Sequence, residues 1–274
     1  MGLRTDLAME AVEIYEKQEK KDFDGIEIET KEKDGFRVTV MHVKDENGAK
    51  KIDKKMGKYL TIELCENFYL SPEKEDSLIS IISDSLLSLT GDTHGKTVLA
   101  VGLGNRALTA DSIGPKTVDN MLVTRHIDFP GIEKVCAIAP GVMGITGMET
   151  GEIVKGVLSS VSCDLVIAID ALAASNTSRV FNTIQMCDCG ISPGAGVGNN
   201  RKALDKELLG VSVFVVGVPT VVDAYSLVSE LADTKISSEI ENFSVTLKDV
   251  DLKASYISKT LAKGINLALV GVEE

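Results

Sequence analysis

The stretch VLAVGLGNRALTADSIGP, residues 98–115, decides the fold that this sequence predicts. Its first four residues are apolar and predict a short buried strand. Gly102 and Gly104 then allow a sharp turn, because glycine adopts positive φ without steric cost. The loop that follows carries Asp111, and Pro115 predicts the first turn of a helix. Since α/β proteins place their sites in loops at the carboxyl ends of parallel strands, we expect Asp111 to lie at a functional site.

A second stretch of the same kind is LVIAIDALAA, residues 165–174. It predicts a wholly apolar strand that ends on Asp170. An ionised carboxylate is costly to bury unless its surroundings compensate. An aspartate here therefore indicates either catalysis or a structural role, as the cap of a helix or the partner in an ion pair. Two such aspartates on two strands favour a catalytic pair formed by Asp111 and Asp170 in one cleft.

Composition and charge narrow the class of protein. The 274 residues suffice for one large α/β domain with a substantial core. No apolar run is long enough to cross a bilayer, and the N-terminus lacks the apolar region of an export signal. The net charge of −12 disfavours direct binding to nucleic acid. Five cysteines, an odd number, are typical of reduced thiols in the cytoplasm.

From Thr97 onward, apolar strands alternate with glycine-rich loops and helices. The strands are predicted near residues 98–103, 135–139, 165–170 and 211–217, and the helices near residues 114–125, 149–160, 219–232 and 251–269. This alternation predicts an α/β fold in which a mostly parallel or mixed sheet is flanked by helices. No repeat or linker interrupts the pattern, so we expect a single domain over residues 1–274.

The N-terminal part of the chain has a different pattern. Residues 4–20 predict an amphipathic helix, and residues 26–64 alternate like antiparallel strands, with a tight hairpin favoured at Asn47-Gly48. These strands add an antiparallel β layer to the sheet. Ser71-Pro72 predicts the start of a further helix that runs to Leu89.

Several motifs match known sites but lack the required context. The sequence GLGNRA at 102–107 matches a dinucleotide fingerprint, yet the loop continues to Pro115 instead of opening a helix at once. The sequence GISPG at 190–194 matches a nucleophile elbow, yet all three histidines precede it, and we interpret residues 190–198 as a flexible loop near the site. Cys187 and Cys189 lack the further ligands that zinc needs, so a place in a strand is favoured. His126 is predicted to cap the end of its helix.

Blocks of sequence along almost the whole chain carry a resemblance to one family. The sequence resembles the germination proteases of spore-forming bacteria, endopeptidases that degrade small acid-soluble spore proteins. The matching blocks follow the family's order, and they are RTDLAMEA (4–11), VGLGN (101–105), TADSIGPKTVDN (109–120), APGVMGITGMET (139–150), DLVIAIDALAA (164–174), NTIQMCDCGISPGAGVGNNRK (182–202), GVPTVVDA (217–224) and AKGINLAL (262–269).

This resemblance implies a catalytic mechanism, an oligomeric state and a maturation step. It implies an atypical acid protease whose two catalytic aspartates occupy the places of Asp111 and Asp170, with no cofactor and no metal. The fold is expected to be similar to that of the hydrogenase-maturation peptidases. The resemblance also implies a homotetramer in the cytoplasm of the forespore and the spore core. The resemblance further implies that the protein is made as an inactive zymogen, which cuts itself near the N-terminus.

The expected self-processing site is the bond between Asp6 and Leu7. The family's substrates are cut after an acidic residue and before a large apolar one, in the order acid, large apolar, alanine, variable, acid. The sequence DLAME at 6–10 follows that order. Residues 1–6 would then be a short propeptide. The alternative is that Asp6 only caps the helix that begins near Leu7.

Two converging carboxyl groups suggest a chemical hypothesis. Such groups share a proton, so that one activates water as a general base and the other polarises the scissile carbonyl. Backbone N–H groups of residues 102–105 or 194–198 are candidates to hold the oxyanion. A mechanism in which only one aspartate is chemical stays open. Two other classes stay open as well: a metal-dependent maturation peptidase of the same fold, which needs a histidine beside the carboxylates, and a non-catalytic spore protein.

Overall fold

The strand that carries Asp170 lies inside a mixed β-sheet in the computed structural model, which describes residues 5–17, 23–64, 68–127, 133–194, 202–231, 240 and 243–271. The strands are β1 (Ile26–Lys33), β2 (Phe36–Val43), β3 (Gly57–Leu64), β4 (Thr97–Gly102), β5 (Lys134–Ile138), β6 (Leu165–Ala174), β7 (Thr183–Cys187), β8 (Ser212–Asp223) and β9 (Ser244–Val245). Their order across the sheet is β1-β2-β3-β7-β8-β6-β4-β5, with β9 beside β8. β5, β4, β6 and β8 are parallel, and the other pairs are antiparallel. The predicted fold class is confirmed.

Helices cover both faces of this sheet. They are α1 (Ala8–Lys17), α2 (Glu46–Ile52), α3 (Pro72–Thr90), α4 (Ile113–Asp119), α5 (Met143–Thr146), α6 (Thr150–Ser160), α7 (Lys206–Leu209), α8 (Ala224–Leu231) and α9 (Val250–Val270). α3, α4 and α9 share an apolar cluster with Ile167 and Ile169 of β6. α6 and α7 share another with Val166 and Ala168. Because side chains alternate along a strand, these two clusters lie on opposite faces.

A third apolar cluster joins α1 and α2 to the antiparallel strands. It contains Val215 of β8, whereas Val213, two residues earlier, belongs to the cluster under α6 and α7. Residues two apart in a strand point to the same face. The α1–α2 cluster and the α6–α7 cluster therefore lie side by side on one face, and the site described below lies where they meet.

The N-terminal antiparallel strands are present, and β3 pairs with β7 so that they continue the same sheet. The hairpin predicted at Asn47-Gly48 is wrong. Asp45 instead accepts a hydrogen bond from the Gly48 N–H group at 2.8 Å and begins α2, since an aspartate at this position satisfies a free N–H group of the first turn. The tight turn between β1 and β2 lies at Asp34-Gly35, where both residues have positive φ.

Long-range contacts move several predicted boundaries. β8 pairs with β6 as far as Val222 and continues to Asp223, so the helix predicted from residue 219 begins only at Ala224. α4 ends at Asp119 rather than near residue 125. Beyond α4, the Leu122 N–H group donates to Asn266 Oδ1 of α9 at 3.0 Å. No local pattern indicates that partner.

The order of the strands creates a crevice between β4 and β6. From β4 the chain passes through α4 to β5 on one side, and from β5 it passes through α6 to β6 on the other side. α4 and α6 lie on opposite faces. In an open α/β sheet, ligands bind outside the carboxyl ends of the strands where the winding reverses in this way.

Candidate active site

Asp170 comes to this crevice from within β6, not from its end as predicted. The strand continues for four more residues because β8 pairs with it there. Asp170 is only 5% exposed, and its Oδ1 accepts the Ala171 N–H group at 2.9 Å. Its position in the strand puts its side chain on the face covered by α6 and α7, together with Ala168.

Asp111 comes from the loop after β4 and closes a short 3₁₀ turn, Thr109–Asp111. The Asn105 N–H group donates both to the Asp111 carbonyl oxygen and to Asp111 Oδ2, each at 2.9 Å. Gly104 makes this close approach possible. Its φ is +110°, and a Cβ there would overlap the Asp111 carbonyl oxygen. On the far side, Thr220 Oγ1 donates to the Ala110 carbonyl oxygen at 2.5 Å and ties the turn to β8.

A single cavity of about 330 Å³ is lined by both aspartates. Its other walls include apolar residues such as Leu103, Leu108 and Val142. In apolar surroundings, charges and dipoles interact more strongly than they do in water. The structure therefore brings the two sequence-predicted aspartates together in an environment suited to acid–base chemistry.

Residues of two other predicted segments, the self-processing site and the glycine-rich loop, also line the cavity. Asp6 of the expected processing site contributes to the wall, as do Pro193 and Gly194 of the glycine-rich loop. Residues 195–198, which were candidates for an oxyanion hole, lie outside the described residues. Of residues 102–105, Gly104 lines the cavity, and the Asn105 N–H group is used to hold Asp111.

The chain around Asp6 is bound firmly against the sheet. Asp6 N–H donates to the Ala173 carbonyl oxygen at 2.9 Å, and Ala173 N–H donates to Asp6 Oδ2 at 2.8 Å. Lys54 Nζ donates to the Thr5 carbonyl oxygen at 2.8 Å, and burial lowers the pKa of this lysine. Leu7 is completely buried. The Asp6 carboxylate thus contacts β6 through the Ala173 N–H group.

Glu10, on α1, is a buried carboxylate to which the sequence analysis assigned no structural role. It accepts hydrogen bonds from Thr5 Oγ1, from the backbone and side chain of Ser175, and from the Asn176 N–H group. It is 1% exposed. The signal in the sequence that could have indicated this role is an acidic residue on the buried face of a predicted amphipathic helix. Its hydrogen bonds hold the N-terminal segment to the end of β6, next to the cavity.

The remaining motifs lie outside the cavity. Cys187 ends β7, and Cys189 follows the strand, where its Sγ donates to Tyr59 Oη at 3.1 Å. The prediction for His126 is wrong, because α4 ends at Asp119 and His126 is exposed in the segment that follows. The cavity has no histidine among its described lining residues. Within the described ranges, no three His, Cys, Asp or Glu side chains are placed to hold a metal ion.

Comparison with known proteins identifies the family. The family model described as germination protease matches residues 4–238. This chain belongs to the germination protease family. The germination protease of Clostridium tetani is 37% identical over 309 aligned positions, which cover 98% of this chain and 96% of the relative. That of Clostridium acetobutylicum is 39% identical over 98% of this chain and 95% of the relative. The resemblance stated from the sequence is confirmed, and the protein is a protease.

Other known proteins match this chain over only part of their length or with low sequence identity. The germination protease of Bacillus licheniformis is 43% identical over 85% of this chain but over 66% of its own length. Among solved structures, the [NiFe] hydrogenase maturation protease HycI from Thermococcus kodakarensis KOD1 aligns with a TM-score of 0.33 and 17% identity. That alignment covers 66% of this chain and 99% of HycI. In the described part of the germination protease, no helix is both long and apolar enough to span a membrane.

Proposed function

We propose that this germination protease is an endopeptidase that begins the degradation of small acid-soluble spore proteins when spores germinate, with Asp111 and Asp170 as its catalytic carboxyl groups. The observation that carries the proposal is that Asp170 of β6 and Asp111 of the loop after β4 line one cavity together with Asp6. A metal-dependent peptidase usually uses histidine among its ligands. The carboxylates and apolar side chains of this cavity suit a carboxylate pair better.

The proposed chemistry divides one proton between two carboxyl groups. Two carboxylates in one cavity repel each other, so the pair binds a proton that a lone aspartate would lose. The ionised member takes a proton from water, and the protonated member donates to the scissile carbonyl oxygen. Backbone N–H groups orient both members: that of Asn105 holds Asp111, and that of Ala171 holds Asp170.

Cleavage of a peptide with the family's substrate pattern tests this function. The purified chain is incubated with Glu-Phe-Ala-Ser-Glu embedded in a longer peptide, and the products are identified by mass spectrometry. A matched peptide with Gln in place of the first Glu is the control. We expect a cut after the first Glu and much slower cleavage of the control. If the processed protein cuts neither peptide, the proposed function is wrong.

We further propose that the protein is made as a zymogen and cuts itself between Asp6 and Leu7. Residues 1–6 would then leave as a propeptide. The support is that Asp6 already lies in the cavity wall and exchanges two hydrogen bonds with Ala173 of β6. By the family's pattern, the active form would be a homotetramer of single-domain subunits in the cytoplasm of the forespore and the spore core. Light scattering of the processed protein measures the assembly.

Self-processing makes a sharp prediction about mass. After incubation at mildly acidic pH, we expect the intact chain to lose residues 1–6, so that Leu7 becomes the N-terminus. The physical requirement is that the buried Leu7 segment moves enough to admit water. Mass spectrometry with N-terminal sequencing follows the change. A chain that still begins at Met1 or Gly2 while it cuts a spore-protein peptide in the same tube would show that no such activation is needed.

A further inference from the structure

Gln185 lies in the same row of the sheet as Asp170. On β8, Gly217 pairs with Asp170 of β6 on one side and with Gln185 of β7 on the other. Residues paired in this way across a sheet point to the same face. Gly217 lies between Asp170 and Gln185 in this row and has no side chain. The Leu172 side chain fills the space above it, since a Cβ on Gly217 would lie 2.6 Å from Leu172 Cδ1. The Gln185 side chain thus lies on the same face of the sheet as Asp170, one strand beyond Gly217.

The amide of Gln185 binds the backbone on both sides of the Asp6–Leu7 bond. Its Nε2 donates to the Asp6 carbonyl oxygen at 3.1 Å, and its Oε1 accepts the Ala8 N–H group at 2.6 Å. Gln185 is 7% exposed. The first contact involves the carbonyl of the bond that we propose is cut. A fixed donor that is directed at such an oxygen from a buried position is the arrangement that stabilises an oxyanion.

The segment that contains this bond is held against β6, and α1 begins two residues after Asp6. β4 pairs with β6 only as far as Ile169, and Asp6 exchanges two hydrogen bonds with Ala173 further along the strand. Binding of an extended peptide by the backbone of a strand is a general way to recognise many sequences. The Ala173 N–H group meets the Asp6 carboxylate, which indicates how an acidic residue before the cut is accepted.

We propose that Gln185 is a further catalytic residue of this protease: its Nε2 donates to the carbonyl oxygen of the cleaved bond, both in self-processing and in protein substrates whose acidic residue takes the place of Asp6. This inference rests on the proposed function. Attack of water on the carbonyl carbon puts negative charge on that oxygen. The charge leaves the oxygen when the C=O double bond re-forms and the C–N bond breaks. The electron pair of that bond passes to the nitrogen, which takes the proton that the general-base aspartate removed from water. The hydrogen bond from Gln185 is strongest at the stage between these two events.

If Gln185 had only a structural role, its variants would be expected to behave differently. Through Oε1 alone, Gln185 would cap the N-terminus of α1 by accepting the Ala8 N–H group. Gln185→Glu keeps this acceptor and removes the donor, because an ionised carboxylate only accepts. Gln185→Met has a similar length and no charge, and it removes both. The two variants therefore separate the donor from the cap and also from the effect of an added charge.

The experiment measures self-processing of the full chain by mass spectrometry and kcat and KM for the spore-protein peptide, with thermal unfolding as a check on folding. We expect both variants to slow self-processing and to lower kcat by ~10²–10³, with a small change in KM, which is the usual cost of losing one oxyanion donor. If Gln185→Glu processes itself and cuts the peptide at the wild-type rate, Gln185 only caps the N-terminus of α1. A slow Gln185→Glu with Gln185→Met within tenfold of wild type would assign the loss to charge. Either result overturns the inference. If the wild type itself neither processes nor cuts the peptide, the proposed function fails instead.

Discussion

Asp170→Asn is expected to fold as the wild type does and to lose ~10²–10⁴ in kcat on a spore-protein peptide, the usual cost of removing a general acid or base. Asparagine has almost the same volume, and its side-chain oxygen can still accept the Ala171 N–H group that Asp170 Oδ1 accepts. The backbone pairing of β6 with β8 does not depend on the carboxyl group. What the substitution removes is the ionisable carboxyl group, which can carry a negative charge or a transferable proton. Steady-state kinetics on the purified variant, with its thermal unfolding, measures both parts of the expectation.

A matched control and a double variant sharpen this test. Asp84, on α3, is an exposed aspartate paired with Lys33 at the surface, and Asp84→Asn should leave kcat unchanged. Asp111→Asn should cost about as much as Asp170→Asn. Because residues that act as a unit are not additive, the double variant should be hardly slower than either single one. Wild-type turnover in purified Asp170→Asn would remove this residue from the chemistry. Normal turnover in Asp111→Asn alone would leave Asp170 as the only chemical carboxyl group.

Gly114→Ala is expected to destabilise the protein by about 3 kcal/mol, at the upper end of what overpacking usually costs. A Cβ on Gly114 would overlap the carbonyl oxygens of Leu103 and Ile169, and backbone atoms cannot rotate away as a side chain can. The Leu103 N–H group donates to the Ile169 carbonyl oxygen at 2.8 Å. The segment that directly follows β4 and the part of β6 around Ile169 must therefore move together. For a chain of this size, the loss corresponds to about 6–12 °C in Tm.

The same substitution should also reduce activity, because Ile169 directly precedes Asp170. A displacement of about 1 Å in a catalytic group can cost ~100-fold in rate. Gly156→Ala is the matched control. Gly156 lies within α6 with open space around it, so alanine there should raise stability by about 0.5–1 kcal/mol. Differential scanning fluorimetry and peptide cleavage compare the two. A Gly114→Ala protein with the stability and kcat of the wild type would contradict the close packing of α4 on β4 and β6.

The alternating pattern of the sequence determined the main elements of this fold. Apolar runs such as residues 98–101 and 165–169 can be buried only as central strands, and the glycines and the proline that follow β4 permit only a turn and a helix there. Asp170 was found because a charged residue at the end of an apolar run is costly without a purpose, and Asp111 because it lies in the loop after a predicted strand. The family was evident in blocks of sequence that span the chain, and the family model matches residues 4–238.

Other features of this protein depended on contacts between distant parts of the chain. Asp45 begins a helix although Asn47-Gly48 favours a hairpin, and Asp170 lies inside its strand because β8 pairs beyond it. Gln185 reads as an ordinary polar residue of a strand until β7, β8 and β6 place it in one row with Asp170. Local sequence sets the intrinsic preference of each segment, whereas partners that are distant in the sequence decide which of several similar local conformations prevails. Tertiary structure therefore decided the surroundings of the site, because the residues that line the cavity come from many separate parts of the chain, from Asp6 to Ser244.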